Sequence, residues 1–178
     1  MQIREHFAYC PKCGIEVQSS ENHRMFGCEH CGFTVYFNVG ASVSGICTRE
    51  NGDVLLLKRM HPPRMGSWTL PGGFAEPDES GLEALVREVY EETGLVVTEP
   101  VAHSAFPNTY VYKGVTYATF DMVYVCQVEG APILDGTEVD AHRWFSLTEL
   151  LDADISFPSL KNAIDLYVSQ HVLKKTTG

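Results

Sequence analysis

Gly73-Phe74-Ala75-Glu76-Pro77-Asp78-Glu79-Ser80-Gly81-Leu82-Glu83-Ala84-Leu85-Val86-Arg87-Glu88-Val89-Tyr90-Glu91-Glu92-Thr93-Gly94-Leu95 reads as a loop running into an amphipathic helix. The spacing predicts the helix from about Glu79 to Thr93, with Gly94 placed to end it. Leu82, Leu85, Val86 and Val89 recur at steps of three, one and three, which at about 100° per residue makes one apolar stripe. On the same wheel Glu88, Glu91 and Glu92 fall within an arc of roughly 100° beside that stripe, at the edge of the core. Like charges at this spacing repel, by a few tenths of a kcal/mol per pair in water and by more when part-buried. They also occupy the last turns, where the helix dipole disfavours anions. Two electrostatic penalties on one patch call for a compensating cation, and hard carboxylate oxygens suit Mg²⁺, Mn²⁺ or Ca²⁺. The alternative is a solvated acidic helix face.

Gly72 and Gly73 precede the helix by a short loop. Without side chains they allow a backbone carbonyl to turn toward the same ion and a phosphate to approach closely. Arg87 is placed to pair with Glu79 or with a neighbouring ligand and so hold the patch.

The stretch resembles the Nudix box, G-x5-E-x7-R-E-U-x-E-E-x-G-U with U a bulky aliphatic. It matches at all nine specified positions: Gly73, Glu79, Arg87, Glu88, Val89, Glu91, Glu92, Gly94 and Leu95. The likeness extends through Trp68-Thr69-Leu70-Pro71-Gly72-Gly73 and covers most of residues 40–150. The resemblance implies an α/β class, with an α/β/α sandwich around a mixed sheet and the box forming loop, helix and loop. It implies hydrolysis of a diphosphate linked to another moiety, commonly a nucleoside. By position, Glu88, Glu91 and Glu92 are expected as Mg²⁺ or Mn²⁺ ligands, Glu88 also as a possible base. Gly72 or Gly73 is expected as the backbone ligand, and Glu79 and Arg87 as supporting residues. The base outside the box varies in such enzymes. Glu138, just before the Trp144-Phe145 strand, is the nominee, with Asp140 second and an ordinary surface acid as the alternative.

Outward from the box, residues 39–48 and 53–59 read as strands joined at Glu50-Asn51-Gly52, a hairpin turn. Residues 60–66 form a Pro- and Gly-containing loop, and Trp68-Thr69-Leu70 a short strand. A long hairpin is expected over 108–128, turning at Lys113-Gly114. A strand follows at Val139–Phe145, then a short helix from Ser146 to Leu151. After Pro158, the residues Leu160, Ala163, Ile164, Tyr167, Val168 and Val172 mark a final amphipathic helix. No Walker loop, GxGxxG or GxSxG occurs.

Toward the start, Cys10-Pro11-Lys12-Cys13-Gly14 and Cys28-Glu29-His30-Cys31-Gly32 form two CxxCG knuckles with fourteen residues between them. Two such turns supply a closed four-thiolate shell, the structural zinc arrangement. A disulfide pair and a thioredoxin-like redox site are the alternatives. His6, His23 and His30 are replacement ligands in principle. The pattern resembles a zinc ribbon over about residues 8–34, which gives a ribbon at 1–36 and a Nudix domain at 37–178. A piece this small needs its metal to stay folded. Cys47 and Cys126 sit alone in apolar strand-like runs and read as small buried hydrophobes.

The 178 residues carry 13 Lys and Arg against 23 Asp and Glu, a formal charge of −10, with 44% hydrophobic and 11% aromatic residues. There is apolar material for a core, and no run of about 18 apolar residues to span a membrane. No apolar leader stands at the start, so a cytoplasmic protein is expected. The acidic balance and a ribbon region with only Arg4, Lys12 and Arg24 argue against nucleic acid as a partner.

A four-cysteine ribbon ahead of a Nudix domain resembles the NADH pyrophosphatase and ADP-ribose pyrophosphatase groups, which implies a nucleotide substrate, release of AMP and a ribbon at a homodimer contact. The SQPWPFPxS-like stretch of the first group is reduced here to Ser104 and Phe106-Pro107 within His103–Tyr110. NADH, ADP-ribose, another dinucleotide and a nucleoside triphosphate therefore stay open. Phe74, Phe106, Tyr110, Tyr112 and Tyr117 are candidates to stack on a base, and Lys58, Arg59 and Arg64 to meet phosphates; Arg59, Phe74, Phe106 and Tyr110 are the ones nominated. A nucleotide-sensing module with a partner-binding ribbon is the non-catalytic alternative. Isopentenyl-diphosphate isomerase shares the fold, but no matching Cys-and-Glu pair occurs.

Overall fold

The structure, a computed structural model, describes residues 3–17, 24–134 and 136–176. His23, weighed above as a ligand, lies outside them, as does the side chain of Val172. Contacts divide the chain into two units, Met1–Gly40 with Thr109–Thr119, and Ala41–Asn108 with Phe120–Gly178.

In the first unit each knuckle closes on itself. The Gly14 N–H donates to the Cys10 carbonyl at 2.8 Å and the Gly32 N–H to the Cys28 carbonyl at 2.9 Å. Between the knuckles and after them run two short antiparallel strands, β1 (Met25–Gly27) and β2 (Thr34–Tyr36). Phe26 is fully buried, and Phe7, Val17, Phe33, Val35 and Phe37 pack around it and the buried Cys10 and Cys28. These strands of three residues are too short for periodicity to reveal.

The remaining strands are β3 (Gly40–Thr48), β4 (Val54–Arg59), β5 (Trp68–Thr69), β6 (Val96–Tyr112), β7 (Val115–Glu129) and β8 (Val139–Phe145), which lie in the second unit apart from Gly40 and the β6–β7 tip at Thr109–Thr119. The sheet order is β5-β4-β3-β7-β6, with β8 also antiparallel on β4. The helices are α1 (Gly81–Thr93), α2 (Leu147–Asp152) and α3 (Pro158–Thr176). Val54-Leu55-Leu56-Leu57 shows why this is a three-layer sandwich. All four are fully buried, and they alternate between two cores. Leu55 and Leu57 join Val43, Cys47, Ala84, Leu85 and Val89 under α1. Val54 and Leu56 join Ile46, Val123, Leu150, Leu160 and Ile164 under α2 and α3.

The β3–β4 hairpin, the turn at Lys113-Gly114, β8 and the two later helices stand where the sequence places them. Two elements differ. β6 starts at Val96 rather than 108 and runs on through Pro100 and Pro107; it is the last strand in the order, where a sheet tolerates proline. Helix α1 starts at Gly81, because Ser80 and Glu83 form a reciprocal capping box.

Helix α1 is also rolled relative to the apolar stripe. Ala84, Leu85, Val89, Glu92 and Thr93 are buried, while Leu82 and Val86 are each 43% exposed. The buried face is thus turned by roughly 45° on a 100° wheel toward Glu88 and Glu92. On that side the Gly72 N–H of the loop ahead of the helix donates to Glu92, and Gly73 lies against the Glu88 carboxylate. Leu85→Ala is therefore expected to cost about 3 kcal/mol in urea unfolding and Val86→Ala well under 1 kcal/mol. Equal costs would place the stripe, rather than the glutamate side, against the sheet.

Candidate functional site

Two glycines let the loop reach the helix. Gly72 has φ of +144°, and a Cβ there would lie 2.1 Å from the Val43 carbonyl oxygen. Its N–H donates to Glu92 Oε2 at 2.8 Å. A Cβ on Gly73 would lie 2.6 Å from the Glu88 carboxylate. The Gly73 carbonyl accepts from the Val43 N–H at 2.9 Å, which pins the loop to β3.

Arg87 gathers the remaining acids. Its Nε and Nη2 donate to the two oxygens of Glu79 at 2.6 and 2.8 Å, a fork-to-fork pair. Nη1 donates to Glu88 at 2.8 Å and to Glu91 at 3.1 Å, and Nη2 also donates to the Phe74 carbonyl at 3.1 Å. All five guanidinium N–H groups are engaged. That arrangement needs Arg, since an ammonium has neither the fork nor the donors.

The charges respond to these partners. The Arg87 guanidinium, helped by the Glu76 N–H, holds the Glu79 carboxyl down at about 2 against its usual 4.5. Glu88 moves the other way. Burial pushes its pKa up, Arg87 pulls it back, and the charges of Glu91 and Glu138 push it further up. Glu92 is 8% exposed, whereas the Glu91 side chain is 59% exposed.

Glu138 is exposed, directly ahead of β8, and its carbonyl accepts from the Met60 N–H at 3.0 Å. Asp140 sits at a bulge, where the pairing of β4 and β8 slips between Lys58 and Arg59.

The four nominated substrate contacts have different surroundings. Phe74 is 48% exposed on the glycine loop. Phe106 packs against the core under α3. Arg59 donates through Nε to the Pro63 carbonyl at 3.0 Å and lies over the Phe157 ring. Arg64 pairs with Asp154 at 2.9 Å. Tyr110 stacks with Tyr112, ring centroids 6.2 Å apart, in the hairpin-tip segment of the first unit.

In the first unit, the sulfurs of Cys10, Cys13, Cys28 and Cys31 lie within 4.8 Å of one another, an arrangement able to hold a metal ion. Among the described residues this is the one group of three or more ligating side chains drawn so close. Cys10–Cys31 and Cys13–Cys28 are 3.7 Å apart, far beyond a disulfide of about 2.05 Å. Cys47 and Cys126 are buried as expected, but they meet, with sulfurs 3.6 Å apart. Buried Asp121 has no counterpart in the sequence reading; a lone acid in the β7 run Tyr117-Ala-Thr-Phe-Asp121-Met-Val carries the only signal, a charge where strand alternation places an inward residue.

A family model described as NUDIX domain matches residues 39–165. The NAD-capped RNA hydrolase NudC of Pseudomonas aeruginosa is 28% identical over 167 residues, 93% of this chain and 57% of that protein. The protein of the same name from Haemophilus influenzae is 29% identical over 153 residues, 80% of this chain and 53% of its own. The chain thus spans little more than half the length of these relatives. A NUDIX hydrolase structure from Nitrosomonas europaea superposes with a TM-score of 0.65 and 25% identity, covering 91% of this chain and 90% of that one. The NUDIX domain of Shewanella oneidensis NrtR, solved with ADP-ribose, superposes at 0.62 with 21% identity, covering 76% and 89%. No helix among the described residues is long and apolar enough to cross a membrane.

The depressed Glu79 pKa fixes the sign of a pH effect. Its ion pair contributes stability that is fully present above about pH 4.5 and is lost as pH falls toward about 2. The melting-temperature gap between wild type and Glu79→Gln is expected to be constant near neutrality and to close over that window. A gap that persists at pH 2 would remove the charge from the explanation.

Proposed function

The chain belongs to the Nudix family, and from that premise we propose that it is a Mg²⁺- or Mn²⁺-dependent pyrophosphohydrolase. Its proposed substrate is a nucleoside diphosphate linked to another moiety, an NADH- or ADP-ribose-like dinucleotide cleaved to release AMP. The observation that carries this reading is the docking of the Gly72–Gly73 loop on Glu88 and Glu92 while Arg87 brings in Glu91. Glu88 and Glu91 then share Nη1 of Arg87, and Glu92 holds the adjoining side-chain-free loop. One cation opposes four acids there, counting Glu79, so hard oxygen donors remain for added divalent charge. The relatives named NAD-capped RNA hydrolases carry a name that points to the same linkage, the diphosphate of a dinucleotide.

Glu88, Glu91 and Glu92, with a carbonyl of Gly72 or Gly73, would hold the divalent ions. The chemistry such ions supply is offset of the diphosphate charge and a bound water of lowered pKa. Arg87 keeps Glu88 and Glu91 aimed, and Glu79 keeps Arg87 from swinging away. Glu138 accepts the proton of the attacking water, its exposed carboxylate being free to reach a substrate over the box. Phe74, on the loop, offers a face to the base.

In the first unit the reading is a structural Zn²⁺. Bonds of about 2.3 Å to four thiolates at tetrahedral angles require sulfur separations of about 3.8 Å, close to the 3.7 Å pairs observed. Full-length protein purified without added metal is expected to contain one zinc per chain, and Cys28→Ser far less. Iron in its place would contradict the assignment.

A panel of NADH, NAD⁺, ADP-ribose, diadenosine polyphosphates and nucleoside triphosphates with Mg²⁺ or Mn²⁺ tests the activity. AMP from a dinucleotide is the expected product, and Glu138→Gln is expected to lower turnover by on the order of 10²-fold with the fold intact. Diphosphate released from a triphosphate alone would move the substrate class. Turnover of nothing by metal-loaded protein would leave a nucleotide-sensing module.

A further inference from the structure

The glycine loop is fixed from behind as well as from the helix. Residues 41–45 of β3 hold it by backbone: the Val43 N–H donates to Gly73 O, the Gly45 N–H to Pro71 O at 2.9 Å, and the Ala75 N–H to Ala41 O at 3.1 Å. Ser42 sits inside this stretch, and its side chain faces the α3 layer, opposite to Val43. Its Oγ donates to Asp121 Oδ1 at 2.5 Å, and Ser159 Oγ donates to Asp121 Oδ2 at 2.5 Å. Asp121, on β7, is 5% exposed, and Ser159, in the first turn of α3, is 1% exposed. A buried carboxylate is tolerated only when hydrogen-bonded, and such charge-assisted bonds are about twice as strong as neutral ones. One side chain therefore fastens β3, β7 and α3 together at the point where β3 carries the loop.

We infer that Asp121 is a positioning residue for the site. Through Ser42 it fixes the end of β3, and through β3 it fixes the Gly72–Phe74 loop that touches Glu88, Glu92 and Arg87. The effect on turnover rests on the hydrolase reading; the effect on the loop does not. The two serines divide the clasp. Losing the Ser42 half reaches the loop, whereas losing the Ser159 half reaches only α3. A plain contribution to stability would show no such asymmetry.

The test compares full-length wild type with Ser42→Ala, Ser42→Thr, Ser159→Ala and Asp121→Asn. Three quantities are read: amide hydrogen exchange over residues 70–76, Mn²⁺ binding by electron paramagnetic resonance, and kcat and KM on the dinucleotide that wild type cleaves best. Ser42→Ala is expected to raise exchange across the loop several-fold and weaken Mn²⁺ binding. Its kcat should fall by on the order of tenfold, with KM little changed, because the loss is one of geometry. Ser42→Thr keeps a hydroxyl and is expected to recover most of each quantity. Ser159→Ala is expected to lower the melting temperature while loop exchange stays at the wild-type rate. Unchanged loop exchange in Ser42→Ala, or equal loosening by Ser159→Ala, overturns the inference. Should Asp121→Asn fail to fold, the serine pair decides. Should wild type turn over nothing in the substrate panel, the hydrolase reading falls while loop exchange still judges the clasp.

Discussion

Glu88, Glu91 and Glu92 crowd the end of one helix, and the surrounding chain is arranged to contain their repulsion. The main restraint is Arg87, whose five N–H groups are all committed, two to Glu79, two to Glu88 and Glu91, and one to the Phe74 carbonyl. Glu79 gives the guanidinium a fixed seat, so the other two carboxylates are held by an arm that is itself held. Glu92, the most enclosed of the three, has the Gly72 N–H instead. The glycines are part of the same restraint, because any side chain at 73 would displace the Glu88 carboxylate. One guanidinium still stands among four acids, and this excess of negative charge is the basis of the proposed divalent-ion site.

The rest of the second unit serves that arrangement. The β4 run Val54–Leu57 is buried on both faces, which anchors α1 on one side of the sheet and α2 with α3 on the other. β3 lies next to it and carries the loop on its backbone. The turned face of α1 belongs to the same arrangement: Glu92 meets the Gly72 N–H, while Leu82 and Val86 forgo part of a burial worth about 1.5–3 kcal/mol for each side chain fully buried.

Most of this organisation is legible in the residues. Asn51-Gly52 and Lys113-Gly114 mark their hairpins, the nine positions of the box mark the site, and the two CxxCG knuckles mark the cluster of sulfurs. What escaped reading depends on tertiary context. The register of α1 could not be taken from hydrophobicity, because its deciding contacts run from polar groups to a loop twenty residues away. Phe106 and Arg59 look like ligand contacts by type, yet one is partly buried against the core and the other binds its own loop. Asp121 looks like an ordinary strand acid until Ser42 and Ser159, 79 and 38 residues distant, close on it. The meeting of Cys47 with Cys126 is of the same kind.

The central claim, that the box carboxylates are completed by divalent ions, is tested most directly by anomalous diffraction from crystals of the full chain soaked in Mn²⁺. The account expects manganese in contact with Glu88, Glu91 and Glu92, with Arg87 drawn back from Glu91 and still clasped by Glu79. Crystals saturated with Mn²⁺ that show no anomalous peak there, with every Arg87 ion pair unchanged, would contradict it.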